Sequence, residues 1–146
     1  MIKKIDFFHG AVIHRFLSNA EIIIKRHDIA STYLLNDKAV YIKYSSNRIS
    51  PWTFTFNEKH IEDIESLYKE YGEVIFALLC NEDGIVLIDY EEFRKLIAIY
   101  NSKFPKWIKA NRQKREKYTV TGSDGVLTYK IGENRLKEFL EVQNIF

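Results

Sequence analysis

A polar loop after a predicted strand carries side chains suited to phosphate oxygens. Residues 45–51 read Ser-Ser-Asn-Arg-Ile-Ser-Pro and offer three hydroxyls, one amide and the guanidinium of Arg48. Such groups are common donors to phosphates in nucleic-acid complexes, and arginine can bind a phosphate through two parallel hydrogen bonds. This polar loop is therefore a candidate phosphate contact through Ser45, Ser46 and Arg48. The alternative is a polar connector that binds nothing.

A second candidate is the basic segment, residues 103–117, which holds seven cations and one acid. Trp107 lies within it and Tyr118 directly follows it. Each phosphate that such cations neutralise steepens the logarithmic salt dependence of binding to duplex DNA by ~0.9. The alternative is a solvated helix face docked by Trp107, because three of the lysines recur every three residues. The candidate phosphate contacts are Lys103, Lys106, Lys109, Arg112, Lys114, Arg115 and Lys117.

The net charge of +2 hides an uneven distribution along the 146 residues. Residues 1–50 carry a net charge of +4, residues 51–100 carry −7 and residues 101–146 carry +5. The basic segment alone carries +6, so the rest of the chain is at −4. Unlike charges separated in this way often belong to different surfaces, and the basic one favours a polyanionic partner.

Histidine and cysteine give weaker signals. His9 and His14 are five residues apart, a spacing that does not place two ligands on one helical face. The single cysteine, Cys80, excludes a disulfide framework and a multi-cysteine zinc site. It ends an apolar run, which predicts a buried thiol. Together with the absence of a long apolar segment near the N-terminus, it leads us to expect a cytoplasmic protein.

Hydrophobic periodicity predicts the elements that position these residues. Apolar residues at helical spacing predict helices over residues 7–18, 58–70 and 90–100, the last two capped by Asn57 and Asp89. Gly72 is expected to end the second helix. β-branched and aromatic runs predict strands over residues 21–25, 31–35, 39–44, 52–56, 74–80 and 85–88. Asn36 and Asp37 predict a hairpin turn between the second and third strands. Two short strands around the turn at residues 122–125 and a helix over 133–142 complete the chain.

This order of elements, with residues 39–46 (Ala-Val-Tyr-Ile-Lys-Tyr-Ser-Ser) on the third strand, resembles the PD-(D/E)XK nuclease superfamily over about residues 7–99. The resemblance implies two acids that hold Mg²⁺ and a lysine that helps to activate water. Lys43 matches the lysine, and Tyr41 stands where the second acid belongs. Asp28 and Asp37 are the candidates for the first acid and hence for the metal. A phenol carries no charge at neutral pH, so the resemblance leaves open whether cleavage is divergent or lost.

The sequence therefore predicts an α+β fold with a central mixed sheet flanked by helices, in the order α-βββ(β)-α-ββ-α. Residues 1–102 form the core domain, and residues 103–146 form a basic extension with a hairpin and a helix, packed on that core as one unit. The leading hypothesis is a nucleic-acid-associated protein with a nuclease-like core, with DNA or RNA left open. If it is an enzyme, it is a Mg²⁺-dependent phosphodiesterase with Lys43 and Asp37 as its catalytic residues. The alternative is a non-enzymatic regulatory module that binds a protein partner or forms a homodimer.

Overall fold

Three helices and eight strands make up the fold within the residues that the structure describes. The computed structural model describes residues 1–17, 22–100, 103–135 and 138–139. In chain order the elements are α1 (Lys4–Leu17), β1 (Ile24–Arg26), β2 (Thr32–Leu35), β3 (Lys38–Ser45), β4 (Trp52–Phe56), α2 (Glu58–Tyr71), β5 (Val74–Cys80), β6 (Ile85–Asp89), α3 (Tyr90–Leu96), β7 (Lys106–Asn111) and β8 (Thr119–Gly122).

The first sheet has five strands in the order β1-β2-β3-β5-β6. β3 and β5 run parallel, and the other neighbours run antiparallel. The sheet is therefore mixed, and the predicted α+β class with a central mixed sheet is confirmed. Every residue of β5 is buried, which fits its continuously apolar sequence. One sheet face packs against Val12 and Phe16 of α1, and the other faces a cluster that includes Ile64 of α2 and Phe93 of α3.

The second sheet has three antiparallel strands in the order β4-β7-β8. Its central strand, β7, comes from the basic segment, so the interpretation of this segment as a helix is wrong. Lysines at intervals of three suggest a helical period, but Ile108 and Ala110 are buried at a period of two. A strand between two partners satisfies that burial and pairs its backbone as well.

Local sequence signals set the turns and caps. Asn36 and Asp37 adopt positive φ angles of 49° and 65°, as expected for a tight hairpin turn. The Asn57 side chain accepts a hydrogen bond from the His60 backbone N–H, and His60 Nδ1 accepts one from the Asn57 N–H. Gly72 ends α2 in the left-handed region with φ 72°. These predicted boundaries are confirmed.

The third helix is shorter than predicted. It ends at Leu96 because Ile97 is extended (φ −131°, ψ 120°), and Tyr100, the last residue of the predicted helix, is 88% exposed. Asp124 explains the early end, since its N–H donates to the Leu96 carbonyl and its carboxylate accepts the Ala98 N–H. Half of the predicted helix over 133–142 lies outside the described residues.

The helices of the described part of the chain are short or amphipathic. None of them combines the length and the apolar character needed to cross a bilayer.

Candidate nucleic-acid interface

The strand β7 presents two different faces. Lys106, Ile108 and Ala110 are buried, whereas Lys109 and Asn111 are exposed and Trp107 is partly exposed. Successive side chains of a strand point to opposite sides, so these last three side chains share the side that faces away from the core.

Short hydroxyl side chains lie on both sides of β7. In the register of the sheet, Trp107 is opposite Thr55 and Lys109 is opposite both Thr53 and Thr121. We call this surface the outer face; it consists of Thr53, Thr55, Trp107, Lys109, Asn111, Thr119 and Thr121. It combines an aromatic ring, a cation and hydroxyl groups on one regular scaffold.

Lys109 and Trp107 are in contact on the outer face. The Lys109 Nζ lies 4.7 Å from the centroid of the Trp107 ring. An ammonium at this distance is attracted by the negative face of the indole, at an exposed site by ~0.5–1 kcal/mol. The contact places a mobile cation next to the only large ring among the seven residues of the outer face.

The polar loop lies at one end of the outer face. The Ser50 hydroxyl is hydrogen-bonded to the Asn111 side chain and accepts the Arg112 N–H at 3.2 Å. The Trp52 indole N–H donates to the Asn47 carbonyl at 2.8 Å and holds the middle of the loop. Ser46 and Arg48 are exposed, whereas Ser45 is 7% exposed at the end of β3. The two segments singled out from the sequence are therefore neighbours in space.

The turn after β7 carries three exposed cations, Lys114, Arg115 and Lys117. The Glu116 N–H donates to the Gln113 carbonyl at 3.0 Å and closes the turn. These cations line an open surface pocket of about 530 Å³. The turn connects the end of β7 to the start of β8, so it lies at the same end of the sheet as the polar loop.

Two cations of the basic segment have structural partners instead. The Arg112 Nε donates to Asp83 at 2.7 Å, its Nη2 lies 3.2 Å from Glu133, and its guanidinium lies 4.1 Å from the Tyr118 ring centroid. The Lys106 side chain is 2% exposed, and its Nζ lies 2.6 Å from Asp124. Phosphate does not reach the Lys106 ammonium in this conformation.

Lys103, the first cation of the segment, is exposed just before β7. The exposed cations of the segment are then Lys103, Lys109, Lys114, Arg115 and Lys117.

Lys43 lies away from the outer face, half-buried against α2. Its Nζ is 3.5 Å from His60 Nδ1 and 5.1 Å from the Phe56 ring centroid. Burial lowers the pKa of Lys43 to about 8, since the interior disfavours the charged form. The pKa of His60 is also lowered, first by burial and then by the neighbouring Lys43 charge.

The two predicted catalytic residues, Lys43 and Asp37, lie far apart along β3. Asp37 is exposed in the β2–β3 turn, six residues or roughly 20 Å along the strand from Lys43. Asp28 lies in the loop before β2, and Tyr41 is 2% exposed with a phenol pKa that burial raises. Among the described residues no group of three or more His, Cys, Asp or Glu side chains is placed to hold a metal ion. The structure does not bring Asp37 to Lys43, and a metal site at Asp28 and Asp37 stays a prediction.

The threonines of the outer face were not among the residues singled out from the sequence. Thr53 and Thr55 alternate with buried aromatic residues on β4. From the sequence, only the aromatic side of this strand was considered and not the side that carries the threonines. Residues 106–111, Lys-Trp-Ile-Lys-Ala-Asn, carry the corresponding signal on β7, because Trp107, Lys109 and Asn111 recur at a period of two.

Known proteins give no relative of this chain. No protein-family model matches it. Neither the curated proteins nor the solved structures contain a match. The resemblance to the PD-(D/E)XK superfamily therefore stays a prediction, and the geometry of the outer face is the basis on which a function can be inferred.

Proposed function

We propose that the protein binds nucleic acid through the outer face, the polar loop and the turn after β7. The observation that carries the proposal is the register of β7, which directs Trp107 and Lys109 outward on the strand that leads into Lys114, Arg115 and Lys117. Aromatic stacking and phosphate neutralisation are the two contributions that nucleic-acid surfaces combine. The polar loop, which is joined to Arg112 through Ser50, adds the exposed Arg48.

The cations of the basic segment fall into two groups, and this division supports the proposal. Arg112 and Lys106 are tied to acids, and these ion pairs hold the turn and β7 in place. The exposed cations then project from a fixed backbone. A rigid scaffold reduces the ordering cost when a flexible strand binds, because only the side-chain ends must be immobilised.

The test is fluorescence anisotropy with labelled DNA and RNA oligonucleotides over a range of KCl concentrations. We expect the logarithm of the association constant to fall linearly with the logarithm of the salt concentration, by ~0.7 per contacted phosphate of a single strand. A variant with glutamine at four outward cations should bind more weakly and show a shallower slope, by up to about 3. The replaced residues are Lys109, Lys114, Arg115 and Lys117.

A matched control removes the same charge elsewhere. Glutamine replaces four exposed lysines on α1, β1 and α2: Lys4, Lys25, Lys59 and Lys69. This control should keep most of the affinity, because its cations lie outside the outer face and its end loops. Absent binding, or equal weakening in both variants, contradicts the proposal. The alternative of a protein-interaction module or homodimer is tested alongside by the molar mass of the protein at low and high salt.

A further inference from the structure

We infer that the outer face selects single-stranded over double-stranded nucleic acid, with Trp107 as the residue on which an unpaired base stacks. This inference rests on the proposed nucleic-acid binding. It adds the class of ligand and the role of one residue to that proposal.

The height of the side chains supports a stacking role for Trp107. Its cross-strand neighbour is Thr55, and the lysine two residues along the strand is flanked by Thr53 and Thr121. Threonine side chains are short, so the indole is the tallest rigid group on the outer face. An unpaired base can lie against such a ring, whereas the bases of a duplex are already stacked on each other.

The width of the sheet disfavours entry into a duplex groove. Three strands about 4.8 Å apart span roughly 10 Å between the outer strand axes, and their own backbones and side chains add to that. The major groove of B-DNA is ~12 Å wide and admits a helix or a two-stranded ribbon. A three-stranded sheet is wider than the two-stranded ribbon that this groove admits, so the outer face fits the groove less well and Trp107 reaches unpaired bases more easily than those of a duplex.

The contact between Lys109 and Trp107 indicates how the face changes on binding. The ammonium lies over the ring of the partly exposed Trp107, 4.7 Å from its centroid. A single strand supplies both replacements: a phosphate accepts hydrogen bonds from the ammonium, and a base takes its place on the ring. Lys109 has the flexible stem needed to make this exchange. A duplex offers only the phosphate, so the exchange stays incomplete.

The experiment compares a single-stranded oligonucleotide with a hairpin duplex of equal charge, for the wild type and three variants. Trp107→Leu keeps an apolar side chain but removes the ring, and we expect it to weaken single-strand binding by roughly five- to 140-fold, the range for loss of one stacked base. Duplex binding should change less than about twofold. Trp107→Phe should restore most of the single-strand affinity. Tyr68→Leu, which removes a partly exposed ring on α2 outside the outer face, serves as the control and should bind like the wild type.

Tryptophan fluorescence gives a second readout. The chain has two tryptophans, and Trp52 is 3% exposed. Single-strand binding should quench the wild-type emission, and the quenching should be largely lost in Trp107→Leu, in which only Trp52 remains. Thermal melting checks that each variant is folded.

The outcomes separate the two proposals. Failure to bind either oligonucleotide overturns the proposed function and the inference with it. Binding with no preference for the single strand, or equal loss of both ligands in Trp107→Leu, leaves nucleic-acid binding intact and overturns the inference alone. Unchanged single-strand affinity in Trp107→Leu overturns it as well.

Discussion

Replacing Asp124 by asparagine removes one negative charge next to a lysine that solvent hardly reaches. Asp124 Oδ2 accepts hydrogen bonds from Lys106 Nζ at 2.6 Å and from the Ala98 N–H at 2.8 Å. An asparagine Oδ1 in the same place keeps both acceptor contacts. The substitution therefore isolates the charge of the carboxylate from its hydrogen bonds.

The exposure of the two side chains sets the magnitude. The Lys106 side chain is 2% exposed and that of Asp124 is 18% exposed. Removing one partner of a buried ion pair lowers the free energy of unfolding by ~3–5 kcal/mol. Because Asp124→Asn retains the hydrogen bonds, we expect a loss of about 3 kcal/mol. Lys106→Met keeps an apolar side chain of similar length. The Asp124 carboxylate, which then lacks its lysine partner, is still reached by water and still accepts the Ala98 N–H. This variant should cost about 1–2 kcal/mol.

The assay is urea-induced unfolding of the wild type, both single variants and the double variant at pH 7. The difference between wild type and Asp124→Asn should shrink below about pH 4. Burial alone would raise the pKa of Asp124, but the Lys106 and Ala98 hydrogen bonds lower it. Its contribution is thus present above the pKa of the unfolded chain and is lost as the pH falls through the lower folded value. A loss in Asp124→Asn no larger than that in Lys106→Met would show that the buried charge is not the dominant cost.

Three further predictions concern the interior. Burial lowers the pKa of Lys43 to about 8, so the unfolded chain holds this proton more tightly. Wild-type stability should rise between about pH 8 and 10, whereas Lys43→Met should lack that rise and gain up to about 3 kcal/mol at pH 7, as urea unfolding measures. A Cβ at Gly122 would lie 2.3 Å from the Leu96 carbonyl oxygen, and nothing lies within 4 Å of one at Gly10. Gly122→Ala should therefore lower the melting temperature, and Gly10→Ala in α1 should raise stability by roughly 0.5–1 kcal/mol; the reverse order would contradict the packing. The buried Cys80 thiol, whose pKa burial raises, should react with a thiol reagent only after unfolding, and fast labelling of the native protein would contradict its burial.

Local signals predict the parts of the fold that local chemistry determines. Asn36 tolerates a positive φ, Asn57 can accept a backbone N–H of the first helical turn, and Gly72 can end a helix in the left-handed region. Each of these preferences acts within a few residues, so the sequence shows it directly. The end of α3 differs, because it depends on a hydrogen bond between Ala98 and the distant Asp124.

Non-local pairing explains why the sequence did not reveal the whole site. β7 pairs with β4 some fifty residues earlier, with Trp52 opposite Ala110. The charge of the basic segment is visible in the sequence, but the direction of each side chain is not. Lys106 points inward and forms an ion pair with Asp124. Lys109 points outward between the threonines of the two neighbouring strands. The charge distribution predicts a polyanionic partner. Only the pairing register of β7 indicates which cations are exposed and can contact such a partner.

The most direct test of the outer face is a titration of the ¹⁵N-labelled protein with a single-stranded oligonucleotide, followed by NMR. We expect the largest shifts at the Trp107 indole N–H and at the backbone amides of Lys109 and Thr121, with small shifts on β1 at the far edge of the other sheet. Shifts concentrated on α1 or α2, with an unchanged Trp107 indole signal, would contradict binding at the outer face.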